Sequence, residues 1–180
     1  MTTPSDPLGD TRRWLERVVI GLNLCPFAKA VHTKGQIRWV LCEATDPAAL
    51  RELLAHELQF LADADPLAVD TTLIVHPQLL QDFADYNDFL DVADDTLQAL
   101  ELDGTLQIAS FHPDYCFADA QADDIANASN RSPHPTLHLL REDSIEGAVA
   151  VFPEAESIYE RNIETLQRLG AEGWQRLLKP

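Results

Sequence analysis

Strand-like segments alternating with amphipathic helical ones predict an α/β (or α+β) protein: a single domain with a mixed, mostly parallel sheet of about four strands packed with helices. Three observations carry this prediction. Four short apolar segments, 37–43, 71–75, 105–111 and 136–141, read as strands. Stretches with helical spacing separate the first three of them. The chain has 180 residues, 46% of them hydrophobic, enough for one core without disulfides or a structural metal. No internal repeat or compositional break divides it. Residues 10–180 are therefore read as one globular domain behind a flexible tail at 1–9.

The elements follow in order. Asp10 is placed to cap a helix over 11–22, with Trp14, Leu15, Val18, Val19 and Leu22 on one face. Pro26 disfavours helical backbone at Cys25 and suits the first position of a new turn, so Cys25 is expected as its N-cap, with the turn running to Val31. Asp46-Pro47 opens a helix ending near Ala62, striped by Leu50, Leu53, Leu54, Leu58 and Leu61 and interrupted by Glu57. The clearest helix spans 79–100. Its Leu79, Phe83, Tyr86, Leu90, Ala93, Leu97 and Leu100 form one stripe, and Asp85, Asp88, Asp91 and Asp95 lie off it, facing water. Residues 113–135 have no period and read as a long functional loop. Asp143-Ser144-Ile145-Glu146 has capping-box spacing, so a helix is expected from about Ser144. A last helix spans 155–169, stopped by Gly170, with a short turn carrying Trp174 after it.

Thirty acidic residues against thirteen basic give a formal net charge of −17. Between Arg51 and Arg131 there is no Lys or Arg, and those residues hold 17 acidic side chains. Nucleic acid and anionic membrane are excluded as partners by that charge. No run approaches the ~18 apolar residues of a membrane span. The N-terminus lacks the pattern of a signal peptide, and the three widely spaced cysteines form no CxxC. A soluble cytoplasmic protein with reduced thiols is the expectation. The oligomeric state is not legible.

Two strands end alike, one running into His76-Pro77 and the other into His112-Pro113. If the strands are parallel, both imidazoles sit on the carboxyl-end rim, where open α/β sheets bind ligands. The long loop hangs from that rim and carries Asp114, Tyr115, Asn130, Arg131 and Ser132, so it is expected to close as a lid. Arg131 is suited to grasp a carboxylate or phosphate, and Arg141, ending the fourth strand, offers a second guanidinium. Cys25 is the nucleophile candidate: a helix N-cap position and Lys29 four residues on would both favour its thiolate. His138, in the fourth strand, is read as a buried structural histidine.

Several blocks resemble one family. Gly21-Leu22-Asn23-Leu24-Cys25-Pro26-Phe27-Ala28, Phe111-His112-Pro113-Asp114-Tyr115-Cys116-Phe117-Ala118, and Asn130-Arg131-Ser132-Pro133 with Thr136-Leu137-His138-Leu139-Leu140-Arg141-Glu142 are similar to the signature blocks of the family catalogued as domain of unknown function 1415. The resemblance extends over nearly the whole chain. It implies that these blocks belong together, and it implies no activity or cofactor.

Three functional readings follow. The first is an enzyme or binder of a small anionic metabolite, with Cys25 and His112 catalytic and Lys29, His76, Tyr115, Asn130, Arg131, Ser132 and Arg141 binding substrate. The second is a metal protein using His76, His112 and Cys25 with Asp114 or His138. The third is a non-catalytic adaptor that docks a basic partner on its acidic face.

Overall fold

Four strands build one sheet: β1 (Ile37–Leu41), β2 (Thr71–Val75), β3 (Leu106–Phe111) and β4 (Thr136–Arg141), in the order β1-β2-β4-β3. They come from a computed structural model that describes residues 6–152 and 154–179. The predicted single mixed sheet is present, but it is not mostly parallel. Only β1 and β2 pair in parallel; β4 lies antiparallel between β2 and β3. The reason lies in the connections. The chain leaves β3 at Phe111, enters β4 at Thr136, and these two residues pair with each other. The segment between them never crosses the sheet, so β4 must return in the opposite sense.

Helices cover both faces. On one face lie α3 (Pro47–Asp63) and α4 (Phe83–Ala99), each started by an aspartate. Asp46 accepts the Ala48 N–H (2.9 Å) and Asp82 accepts the Ala84 N–H (2.8 Å), which satisfies backbone donors that the first turns leave free. The predicted stripes are inward. Leu50, Leu54, Leu58 and Leu61 of α3 meet Tyr86, Phe89, Ala93 and Leu97 of α4 over Ile74, Leu137 and Leu139 of the sheet. Glu57, the polar interruption, is 2% exposed and takes a two-pronged bond from Arg38 of β1 (2.7 and 3.1 Å). That ion pair satisfies a carboxylate which would otherwise be stranded in the core. Asp85, Asp88, Asp91 and Asp95 are exposed, as their spacing requires.

The other face is covered by α1 (Pro7–Trp14), α2 (Ala28–Thr33), α5 (Glu142–Val151) and α6 (Ile158–Leu178). The first helix starts at Pro7 and is capped by Asp6, not Asp10; residues 1–5 of the expected tail lie outside the described residues. It continues as a π-helical segment, Leu15–Ile20, whose wider turns put Leu15, Val18 and Val19 inside together. A side chain at Gly21 would place its Cβ 2.2 Å from the Arg17 carbonyl, so only glycine fits the exit. Cys25 is not a cap: α2 begins three residues later, with its cap at Phe27. The helix α5 starts at Glu142, directly after β4, instead of at Ser144. Gly170, at φ 66°, breaks α6 where the stop was expected, and the chain resumes as helix through Trp174.

Candidate functional site

The rim carrying His76 and His112 forms as predicted. β2 and β3 both run antiparallel to β4, so they share a direction and end on the same rim with β4 between them. Both imidazoles are fully buried there. The His112 Nδ1 accepts the Asp114 N–H (3.0 Å), which leaves the proton on Nε2, and Nε2 donates to the Leu80 carbonyl (3.0 Å). His76 donates from Nδ1 to the carbonyl of Leu79 (3.0 Å). The two rings therefore hold consecutive carbonyls of the turn from β2 into α4. That turn needs holding, because Leu80 sits at φ 58°, a left-handed backbone that costs a leucine about 1 kcal/mol.

Tyr86 of α4 fills the space between the rings, 5.8 Å from His76 and 5.0 Å from His112. Its hydroxyl donates to the Thr136 carbonyl (2.8 Å) and accepts the Phe111 N–H (3.0 Å), tying β3 to β4 at their common end. Phe83 packs against Tyr86, His112 and Tyr115. One polar atom in this cluster has no partner among the described residues: the His76 Nε2, sealed from solvent. Burial lowers the His76 pKa to about 4 and His112 acts in the same direction, while the bond to Leu79 opposes them.

The long loop is ordered by its own polar side chains. Asn127, fully buried, accepts the Phe117 N–H (3.0 Å) and donates to the Gln121 carbonyl (2.7 Å). Arg131 donates from Nε to the Tyr115 carbonyl (3.0 Å) and from Nη2 to the Ala122 carbonyl (2.7 Å). Asn130 donates to the Ser110 carbonyl (3.2 Å), and the Ser132 hydroxyl to that of His134 (2.6 Å). The 3-10 turn Ile125–Asn130 packs on α6. The segment expected as a lid is thus a folded flap bound to the helical layer.

A cavity of about 300 Å³ lies elsewhere, on the opposite face of the sheet. Its floor is the alternate residues of the strands: Ile37 of β1, Thr71 and Leu73 of β2, Gln107, Ala109 and Phe111 of β3, and His138 and Leu140 of β4. Trp14, Leu15 and Val19 line one side, Cys25, Phe27, Ala28 and Val31 another, and Ser144, Ile145 and Ala148 of α5 a third. The wall is overwhelmingly apolar.

Its polar end is defined by two bonds. The Thr71 hydroxyl donates to the Leu139 carbonyl (2.6 Å) and lies 2.7 Å from the His138 Nε2. A hydroxyl has one proton, so it must accept from Nε2–H, and Nδ1 is left as a bare acceptor. Nδ1 has no partner among the described residues and is not sealed by protein. His138 is half-buried and lines the cavity. Burial lowers its pKa to about 4, so it is neutral near pH 7. Beside it, the Ser144 hydroxyl bonds one oxygen of Asp70 (2.6 Å). The Trp14 indole N–H also lacks a partner, but it is sealed within the packing.

The predicted site residues therefore separate. Cys25 and Arg141 line the cavity; His76, His112 and Tyr115 form the rim cluster behind the sheet; Asn130, Arg131 and Ser132 belong to the flap; Lys29 is exposed on α2. The Arg141 guanidinium points away from the cavity face, following Leu137 and Leu139, and donates to the carbonyls of Ala64 (2.9 Å) and Val69 (2.9 and 3.3 Å). The expected metal shell of His76, His112 and Cys25 with Asp114 or His138 does not assemble. Among the described residues, no three His, Cys, Asp or Glu side chains are grouped to hold an ion. Sequence reasoning missed Asn127, for which no local pattern exists. It also missed Tyr86 as a tie between strands, although a tyrosine inside an apolar stripe signals a hydroxyl in need of a partner.

Fold and site together define a class: a three-layer α/β protein whose mixed sheet is clamped by buried rings on one face and carries a cavity on the other. The family model described as protein of unknown function (DUF1415) matches residues 7–176, and the chain belongs to that family. Neither a curated protein nor a solved structure matches it significantly. No helix among the described residues is long and apolar enough to cross a membrane.

Proposed function

We propose that this is a small-molecule binding protein whose ligand, largely apolar, lies between the sheet and the helices α1 and α5. The observation that carries the reading is the cavity of about 300 Å³, with apolar walls and polar atoms gathered at one end. Ligand sites have this composition: apolar surface for affinity, and a few fixed polar atoms for orientation. The anionic ligand expected from the loop arginine is less well supported, because Arg131 is engaged by two carbonyls outside the cavity. Cys25 keeps its place on the wall. His112 is poorly placed for proton transfer, since both its ring nitrogens are engaged.

The test is titration with N-phenyl-1-naphthylamine, a neutral dye that brightens in apolar surroundings. Saturable one-to-one binding is expected, and Ala109→Leu, which fills the cavity floor, should abolish it. Bound dye should also slow alkylation of Cys25 and leave Cys116, in the flap, unaffected. Unsaturable brightening, or binding that survives Ala109→Leu in a folded protein, overturns the reading.

A further inference from the structure

We propose that the cavity selects a ligand whose apolar body ends in a hydrogen-bond donor, a neutral hydroxyl or an amine, and that it rejects a carboxylate in the same position. This rests on the reading of the cavity as a ligand site and specifies the head group.

The argument is an inventory of the polar end. The Thr71 hydroxyl fixes which His138 nitrogen carries the proton, because its own proton goes to the Leu139 carbonyl. The remaining nitrogen, Nδ1, offers only a lone pair. Enclosure disfavours the charged ring, so it stays an acceptor through the neutral pH range. Asp70 is the second polar group at this end. One of its oxygens takes the Ser144 proton, and the other has no partner among the described residues. Two acceptors therefore meet the ligand.

Cations do not balance them. Arg141 reaches the lining through the end of β4, but its guanidinium is bonded to the Ala64 and Val69 carbonyls on the other side of the sheet. Lys29 lies outside the lining. A carboxylate brought to this end would lose its hydration and meet the Asp70 charge. A hydroxyl or ammonium would donate to His138 or Asp70.

A matched naphthalene series tests this: naphthalene, 2-naphthol, 2-naphthylmethylamine and 2-naphthoate, followed by calorimetry and by displacement of N-phenyl-1-naphthylamine. The naphthol and the amine should bind about 5-fold tighter than naphthalene, the worth of one net hydrogen bond. The naphthoate should bind more weakly than naphthalene. His138→Phe should remove the naphthol's advantage, and Asp70→Asn should remove the amine's while the protein keeps its thermal transition. If naphthoate binds tightest, or naphthol binds no better than naphthalene, the head-group assignment is overturned and the cavity reading stands. If neither the series nor the dye binds, both fall.

Discussion

The two faces of the sheet use the same chemistry to opposite ends. On the rim side, His76 and His112 sit against a hydroxyl-bearing ring, and their protons go to backbone carbonyls. On the cavity side, His138 also sits against a hydroxyl, that of Thr71, and its unused nitrogen, unlike the sealed Nε2 of His76, is not closed off by protein. Both His76 and His138 are held neutral by burial, with pKa values near 4. What separates them is packing. Tyr86 and Phe83 fill the space around the rim histidines, whereas small and half-buried residues such as Ala109 and Ala148 leave space in front of His138. A buried, neutral histidine is thus a fold clamp or an available acceptor according to what occupies the volume beside it.

Acid should expose this likeness most strongly. In the unfolded chain both rings take protons below pH 6.5, whereas in the folded one they do so only near pH 4. The unfolded state binds more protons in that window, so the contribution of these two rings is flat above pH 6.5 and falls below it. The slope should be about 1.4 kcal/mol per pH unit for each ring. Denaturant midpoints measured from pH 7 to 4 check this, and His138→Phe should remove one ring's share of the slope. Next in size is a pair of adjacent truncations. Leu139→Ala, in the filled core, should cost about 3 kcal/mol in urea unfolding, and Leu140→Ala, on the cavity wall, only about 1 kcal/mol. Equal costs would mean that the two faces are packed alike.

Tyr86→Phe should destabilise by about 2 kcal/mol, because it strands the Thr136 carbonyl and the Phe111 N–H at the join of β3 and β4. Amide exchange at Phe111 should quicken in that variant. The smallest effect has the opposite sign. Ala109→Leu should stabilise the protein by about 0.5 kcal/mol by filling space, while removing dye binding. Loss of stability instead would show that the cavity floor has no room to fill.

Much of the architecture could be read from local patterns, because local chemistry sets it. Asp46-Pro47 starts α3, the leucine spacing of α4 matches its buried face, and the limits of β4 are those that its apolar run indicates. The orientation of β4 was not legible from its own residues, because it follows from where the flap begins and ends. Pro26 suits a first helical turn and so predicts a cap at Cys25, yet the chain makes an irregular corner there before α2. The closure of the rim was not legible for a related reason. His-Pro at two strand ends correctly marks a shared rim, but whether a rim is open depends on Tyr86 and Phe83, which arrive from α4. Nothing in the spacing of His138 distinguishes a satisfied ring from one with a spare lone pair, since that difference is set by a hydroxyl 67 positions away.

The junction of β4 with α5 bears on how a guest would enter. Arg141 is both the last strand residue and the helix cap, with no loop between, and its side chain is anchored in the connection between α3 and β2. Beyond that pivot, α5 contributes three wall residues but has no buried residue of its own. The chamber is thus bounded on one side by a door with a rigid hinge and little adhesion along its leaf, so swinging it outward disrupts little packing.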